Sequence, residues 1–154
     1  MANRIRIAQD KASFVQSLVV NNHNLEGIFN TYADVMAMAA AVGKKYQYRL
    51  PIDHVAKEPS PISIEVFLSR GYDLLIKILA ITETKDPTII SSYTVDGEEK
   101  RILIFEEYAN GGLAQLQEQL KGAVDYQERI LLLLNQQRLK ISSPPENFDL
   151  TRFL

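Results

Sequence analysis

The sequence predicts a mainly α protein. The expectation is a single compact helical domain of about five to six helices, with at most a short N-terminal strand or β-arm. Three observations lead there. Apolar residues recur at three- and four-residue spacing in several separate windows, the period of a buried helix face. Among the segments read as elements, only Arg4-Ile-Arg-Ile7 at the N-terminus alternates basic and apolar residues, the period of a short strand. Glycine, proline and Asn/Asp clusters punctuate the periodic windows and supply the connections between them. At 154 residues and 46% hydrophobic content the chain is long enough to bury a core as one domain, read here as 1–141, followed by a tail, 142–154.

Taken in order, Arg4 to Ile7 places Ile5 and Ile7 on one face of a strand and Arg4 and Arg6 on the other. This arm either pairs with a second copy across a two-fold axis or frays. Asp10 is placed to cap a helix running to about Val20, with Phe14, Val15 and Leu18 inward. Asn21-Asn-His-Asn24 is a polar turn. The next helix begins near Asn30 or Thr31 and carries the stripe Ile28, Tyr32, Val35, Met36, Ala39 and Val42. Its run Met36-Ala-Met-Ala-Ala-Ala-Val42 is small and apolar nearly all round, which suits a central helix that neighbours approach closely. Gly43 is expected to end it, with Lys44 and Lys45 at the negative end of its dipole.

Lys44 to Pro61 is irregular, because Pro51, Pro59 and Pro61 remove donors and fix φ. Ile62–Ser69 reads as a short helix or turn with Ile62, Val66 and Phe67 inward. Gly71 separates it from a buried helix, Tyr72–Thr84, that presents Leu74, Leu75, Ile78, Leu79 and Ile81 to the core. Asp86-Pro87 stops that helix. Thr88–Val95 is β-prone and is either a short strand or a connector. Asp96-Gly97 then marks a turn.

The following helix contains Ile102, Phe105 and Ala109 on one face, and Asn110-Gly111-Gly112 is expected to end or bend it. Leu113, Leu116 and Leu120 continue the stripe in a second piece. After Lys121-Gly122, Asp125 caps a last helix reaching about Leu139, with Gln127, Ile130, Leu131 and Leu134 inward. Its run of leucines exceeds one narrow stripe, so this helix is either buried widely or forms a subunit interface. In the tail, Phe148, Leu150, Phe153 and Leu154 are candidate docking residues.

Composition removes several function classes. Cysteine is absent, which excludes disulfides, thiolate zinc sites and a cysteine nucleophile. The N-terminus lacks a signal peptide's apolar stretch and no apolar run spans a bilayer, so a soluble, cytoplasmic protein is expected. No phosphate-binding glycine loop, dinucleotide fingerprint or serine-hydrolase elbow occurs. His23 and His54 lack metal-ligand spacing and read as loop residues. No cofactor, metal or catalytic residue is expected, and the protein is read as no enzyme.

Two stretches remain as candidate sites. Residues 1–57 carry an excess of three positive charges and 58–154 an excess of five negative ones. The basic loop Lys44-Lys-Tyr-Gln-Tyr-Arg49 interleaves cations with aromatics. Together with the arm it gives Arg4, Arg6, Lys44, Lys45 and Arg49 as candidate phosphate contacts to DNA. Against this, a sequence pI near 5.7 is not that of a strong autonomous nucleic-acid binder. The second stretch is Glu106-Glu107-Tyr108-Ala-Asn110-Gly111. Adjacent helix residues point about 100° apart, so the two carboxylates do not converge on one ion. The stretch is a solvated charged face, a bent helix end offering Glu107, Tyr108, Asn110 and Gly111 to a protein partner, or, as a third reading, a metal-dependent hydrolase site using Glu106 or Glu107.

Gly27-Ile-Phe-Asn-Thr-Tyr-Ala-Asp34, Ala39-Ala-Ala-Val-Gly43 and Ile104-Phe-Glu-Glu-Tyr-Ala-Asn-Gly-Gly-Leu113 resemble the small proteins encoded beside bacterial DNA phosphorothioation (Dnd) systems, the family of Dnd system-associated protein 4. Ile64-Glu-Val-Phe67, Gly71-Tyr-Asp-Leu-Leu75 and Leu79-Ala-Ile-Thr82 fall between them in the matching order. The resemblance spans roughly residues 4 to 135. It departs at Met36-Ala-Met38, where a more aromatic stretch is expected, and the tail after Ile141 lies outside it. Such a system replaces a non-bridging phosphate oxygen of DNA with sulfur and couples the mark to restriction. The resemblance therefore implies an accessory protein in bacterial defence that binds DNA or other Dnd system proteins, with no catalytic residue to carry over. A homo-oligomer is expected, with no membrane contact. A protein–protein adaptor that does not touch DNA is the alternative.

Overall fold

A computed structural model of the chain describes residues 3–22, 24–91 and 94–142, and the side chains of 141 and 142 are left aside. The expectations for His23 and for Phe148, Leu150, Phe153 and Leu154 lie outside the described residues, and the division at 141/142 falls at their edge. Among the described residues the fold is mainly α: seven α-helices, one 3-10 turn and a single two-stranded ladder. Two compact units divide the chain, Met1–Gln119 and Leu120–Leu154.

Strand β1 (Arg4–Ile5) pairs antiparallel with β2 (Ile62–Ser63), Arg4 opposite Ser63 and Ile5 opposite Ile62. The arm thus finds its partner strand within its own chain, not as a frayed end or on a second copy. The reason is its alternation: Ile5 and Ile7 are both fully buried, and a strand so anchored holds its register. The pairing continues as Gln9 N–H to His54 O and Ala56 N–H to Ile7 O, each 2.8 Å.

The 3-10 turn Gln9–Lys11 leads into α1 (Ala12–Leu18). Phe14, Val15 and Leu18 point inward as the spacing predicts. Asp10 makes no cap; its carboxylate holds the Lys11 ammonium at 2.6 Å. Helix α2 (Tyr32–Lys45) starts where its Thr31 side chain accepts from Asp34 N–H at 3.2 Å. It does not stop at Gly43 but runs on to Lys45.

Helix α3 (Ile64–Ser69) buries Ile64 and Phe67 and leaves Val66 outside. Helix α4 (Asp73–Thr84) buries Ile76, Leu79 and Ala80, while Leu74 and Ile78 face solvent, one turn apart. The expected stripe was therefore rotated, because α4 is covered on a narrower side than its apolar content suggests. Gly71 precedes it at φ +83°, and Lys85 ends it at φ +58°. Thr88–Ser91 is a short helix, α5, neither strand nor coil, begun by Asp86, which accepts from Thr88 N–H at 3.0 Å.

Helix α6 (Val95–Leu120) is 26 residues long and unbroken. Asp96-Gly97 lies inside its first turn, where Thr94 accepts from Gly97 N–H. Asn110-Gly111-Gly112 does not end or interrupt it. Phe105, Ala109 and Leu113 on this helix are fully buried, and Phe105 meets Phe67 edge-on at 5.4 Å between ring centroids. In the second unit, Asp125 accepts from Glu128 N–H at 3.2 Å and starts α7 (Tyr126–Ser142). Ile130 is buried there, but Gln127, Leu131 and Leu134 are exposed, so the expected inward face was wrong for these three.

Candidate functional site

The middle of α6 is where distant parts of the first unit meet. Each residue from Phe105 to Leu113 has an internal task. Glu106 is 2% exposed and clamps Arg6 through four bonds. The Arg6 backbone N–H donates to Oε2 at 2.7 Å, Nη2 donates to Oε1 at 2.7 Å, and Nε reaches both oxygens at 3.1 Å. The Arg6 guanidinium is held above its ordinary pKa by its bonds to Glu106. A charge-assisted, bidentate pair of this kind fixes geometry as well as charge.

Glu107 turns to a different flank and takes the Nε–H of Arg49. The other side of that guanidinium donates from Nη1 to Glu83 Oε1 at 2.8 Å. Burial works against the Arg49 charge, but the bonds to Glu107 and Glu83 outweigh it and raise the pKa. Glu83 also accepts the Tyr108 hydroxyl, the main cause of its lowered pKa, and lies 3.9 Å from the Lys44 ammonium. Lys44 sits over the Tyr108 ring, 5.2 Å from its centroid. Burial, then the bond to Glu83, pushes the Tyr108 hydroxyl up to about 12.

Asn110 is buried and donates from Nδ2 to Leu50 O at 3.2 Å and Pro51 O at 3.3 Å. Those two carbonyls settle which amide atom is nitrogen. Its Oδ1 is buried without a hydrogen bond. Leu50 N–H donates to the Glu107 carbonyl at 3.0 Å, so the proline loop is stitched to α6 through main chain and side chain alike.

The two glycines admit neighbouring backbone. A Cβ on Gly111 would lie 1.8 Å from Tyr48 O, and one on Gly112 only 1.6 Å from Ala39 O. Gly43 is the reciprocal contact on α2, with its absent Cβ 2.0 Å from Tyr108 O. This overturns both turn assignments made from glycine: Gly43 and Gly112 let α2 and α6 cross with backbone against backbone, and Gly111 admits the loop backbone at Tyr48. The expected bent end, which offered Glu107, Tyr108, Asn110 and Gly111 outward, does not form, and Tyr108 and Asn110 face inward at 4% and 5% exposure.

The candidate phosphate contacts are thus distributed as follows. Arg6 and Arg49 are committed to Glu106 and to Glu107 with Glu83. Lys44 lies against Glu83 and Tyr108. Arg4 is exposed and makes one long bond, 3.5 Å, to Pro61 O. Lys45 is exposed on the last turn of α2. Arg4 and Arg6 line one open groove of about 510 Å³ with Glu99, Leu103 and Glu106, and Lys44, Lys45 and Arg49 are not among its walls. A second cavity of about 420 Å³ is bounded by Lys11, Pro51, Asp53, His54 and Asn110. Among the described residues no three His, Asp or Glu side chains gather as a metal ion needs.

A further cluster escaped the sequence. Arg70 grips Asp34 through two bonds of 2.7 Å, and the Tyr72 hydroxyl donates to the same carboxylate at 2.5 Å. Burial opposes the Asp34 charge, but the bonds from Tyr72, Arg70 and Thr31 prevail and lower its pKa. Asp34, Arg70, Tyr72 and Glu83 carried no local signal; only an Asp one turn inside a capped helix hinted at a role for Asp34.

The family model described as DNA sulphur modification system-associated protein 4 matches residues 4–153. The chain belongs to that family. The match extends beyond the 4–135 range read from the sequence and takes in the tail. No curated protein and no solved structure matches the chain. Within the family-matched region, no described helix is long and apolar enough to cross a membrane.

Proposed function

We propose that the chain is a non-enzymatic accessory protein of a DNA sulphur modification system that acts by docking on another protein of that system. Membership of a family associated with such a system supports the accessory role. One observation favours a protein partner over the DNA backbone: the two best-placed guanidinium groups, Arg6 and Arg49, are already engaged by carboxylates of their own chain. Drawing Arg6 toward a phosphate would leave the Glu106 carboxylate buried and without its counter-ion, a cost of about 3 kcal/mol that a surface lysine does not incur. Leu74 and Ile78, exposed one turn apart on α4, offer apolar area of the kind protein contacts use.

The test is co-purification with each protein component of the system in turn, beside a DNA-binding titration at several salt concentrations. A stable complex with one component, weakened tenfold or more by Leu74→Glu with Ile78→Glu, is the expected result. Failure with every component, together with DNA affinity that falls steeply with salt, overturns it. A second reading, direct DNA contact, has one observation in its favour: Arg4 and Arg6 share a groove, and the Arg6 side chain remains 43% exposed. In that reading Arg4→Gln lowers DNA affinity and flattens its salt dependence.

A further inference from the structure

Helix α7 has a face that nothing in the docking proposal uses. Leu131, Leu132, Leu134 and Leu139 are 54%, 47%, 46% and 62% exposed on it. Four such side chains within nine positions of a 17-residue helix are unusual on a surface that only meets water. Down the middle of this face run Glu128, Leu131, Asn135 and Arg138, at i, i+3, i+7 and i+10, the spacing of a helix–helix contact line. Leu134 flanks this line on one side, and Leu132 and Leu139 on the other. Neither Glu128 nor Arg138 has an ion-pair partner among the described residues.

We infer that this face pairs with the same face of a second copy of the chain, the two α7 helices running antiparallel about Leu133. The charge layout selects that occupant and that direction. Antiparallel pairing about position 133 sets Glu128 opposite the partner's Arg138 at both ends and Leu131 opposite the partner's Asn135, with Leu132 beside the partner's Leu132 on one flank and Leu134 beside the partner's Leu134 on the other. Parallel pairing would place Glu128 against its own copy and Arg138 against its own copy, four like charges in two close pairs. Antiparallel helix dipoles add to the same preference. A helix of this length spans about 25 Å. The pair therefore lies at the small end of specific interfaces, below about 1,200 Å², and forms a weak dimer with a dissociation constant of about tens of micromolar.

Sedimentation velocity of the purified full-length chain alone, from low micromolar to several hundred micromolar, tests this without reference to any other protein. The expected result is a monomer–dimer equilibrium. Glu128→Arg and Arg138→Glu each weaken it by about three- to tenfold, and the double variant returns it to within about twofold of the unaltered chain. Leu134→Glu leaves a monomer throughout. A chain that stays monomeric at every concentration overturns the inference. So does a dimer indifferent to the single charge reversals, or one that the double reversal fails to restore. Should Leu134→Glu lose its helical circular dichroism, the charge-reversal cycle still decides the matter.

Discussion

Arg6 holds Glu106 with both its main chain and its side chain, so one buried carboxylate ties the N-terminal arm, just past β1, to the centre of α6 across a hundred residues of sequence. The two partners differ in exposure, 43% for the arginine side chain against 2% for the glutamate. Removing them should therefore have unequal effects. Arg6→Ala leaves the buried charge without its counter-ion, held only by the main-chain N–H at position 6, and is expected to cost about 3 kcal/mol. Glu106→Ala frees an arginine that can turn to water, and should cost about 2 kcal/mol. Urea unfolding of the two variants measures the difference. Equal losses would mean that the carboxylate is better solvated than its burial indicates.

The glycines separate into two kinds. Gly112→Ala forces a methyl group onto the Ala39 carbonyl, and rigid backbone cannot yield as a side chain would, so a loss of about 3 kcal/mol is expected. Gly71 has positive φ but open space around it, and Gly71→Ala should cost only about 1–2 kcal/mol. Thermal or urea denaturation ranks the two.

Asn110→Asp keeps the shape of the side chain but replaces its only donor with an acceptor. The new carboxylate would face Leu50 O and Pro51 O from a buried position. A loss of about 3 kcal/mol at neutral pH is expected. The loss should shrink on acidification, because protonation restores a donor and removes the charge. A pH series of unfolding midpoints for variant and parent checks this.

Tyr108 predicts an alkaline limb. Its hydroxyl is pushed up to about 12 in the fold, against about 10 in the unfolded chain. Between those values the unfolded state has lost the proton and the folded state keeps it. The folded state thus binds more protons, and stability falls as pH rises from about 10 to about 12. Below 10 the contribution is fully present. Tyr108→Phe should flatten this part of the stability profile, and an unchanged slope would show that other groups dominate it.

What the sequence revealed depended on range. Thr31 and Asp125 were legible as helix starts because a cap is a contact between residues three apart. Phe14, Val15 and Leu18 were legible because their face repeats within one helix. Gly43 and Gly111-Gly112 misled, since a glycine that permits a turn and one that permits close approach look identical until the opposing backbone is known. Leu74 and Ile78 misled for a related reason: apolar spacing predicts a face, while a neighbouring element decides whether it is covered. The pairings of Glu106 with Arg6 and of Glu83 with Arg49 and Tyr108 join segments with no shared local pattern. Arg6 and Arg49 therefore looked available for phosphate when read alone. The resemblance drawn from Phe105–Leu113 pointed to the right family, and the same residues prove to be the ones that fasten arm, loop and helices together.

Where Gly112 meets Ala39 no cushion of side-chain atoms lies between the two helices. Rocking one against the other would drive peptide groups into each other within a fraction of an ångström. At that crossing the helices have no room to close further, so a push on α6 there bears directly on the backbone of α2. A protein that seizes either rod moves both.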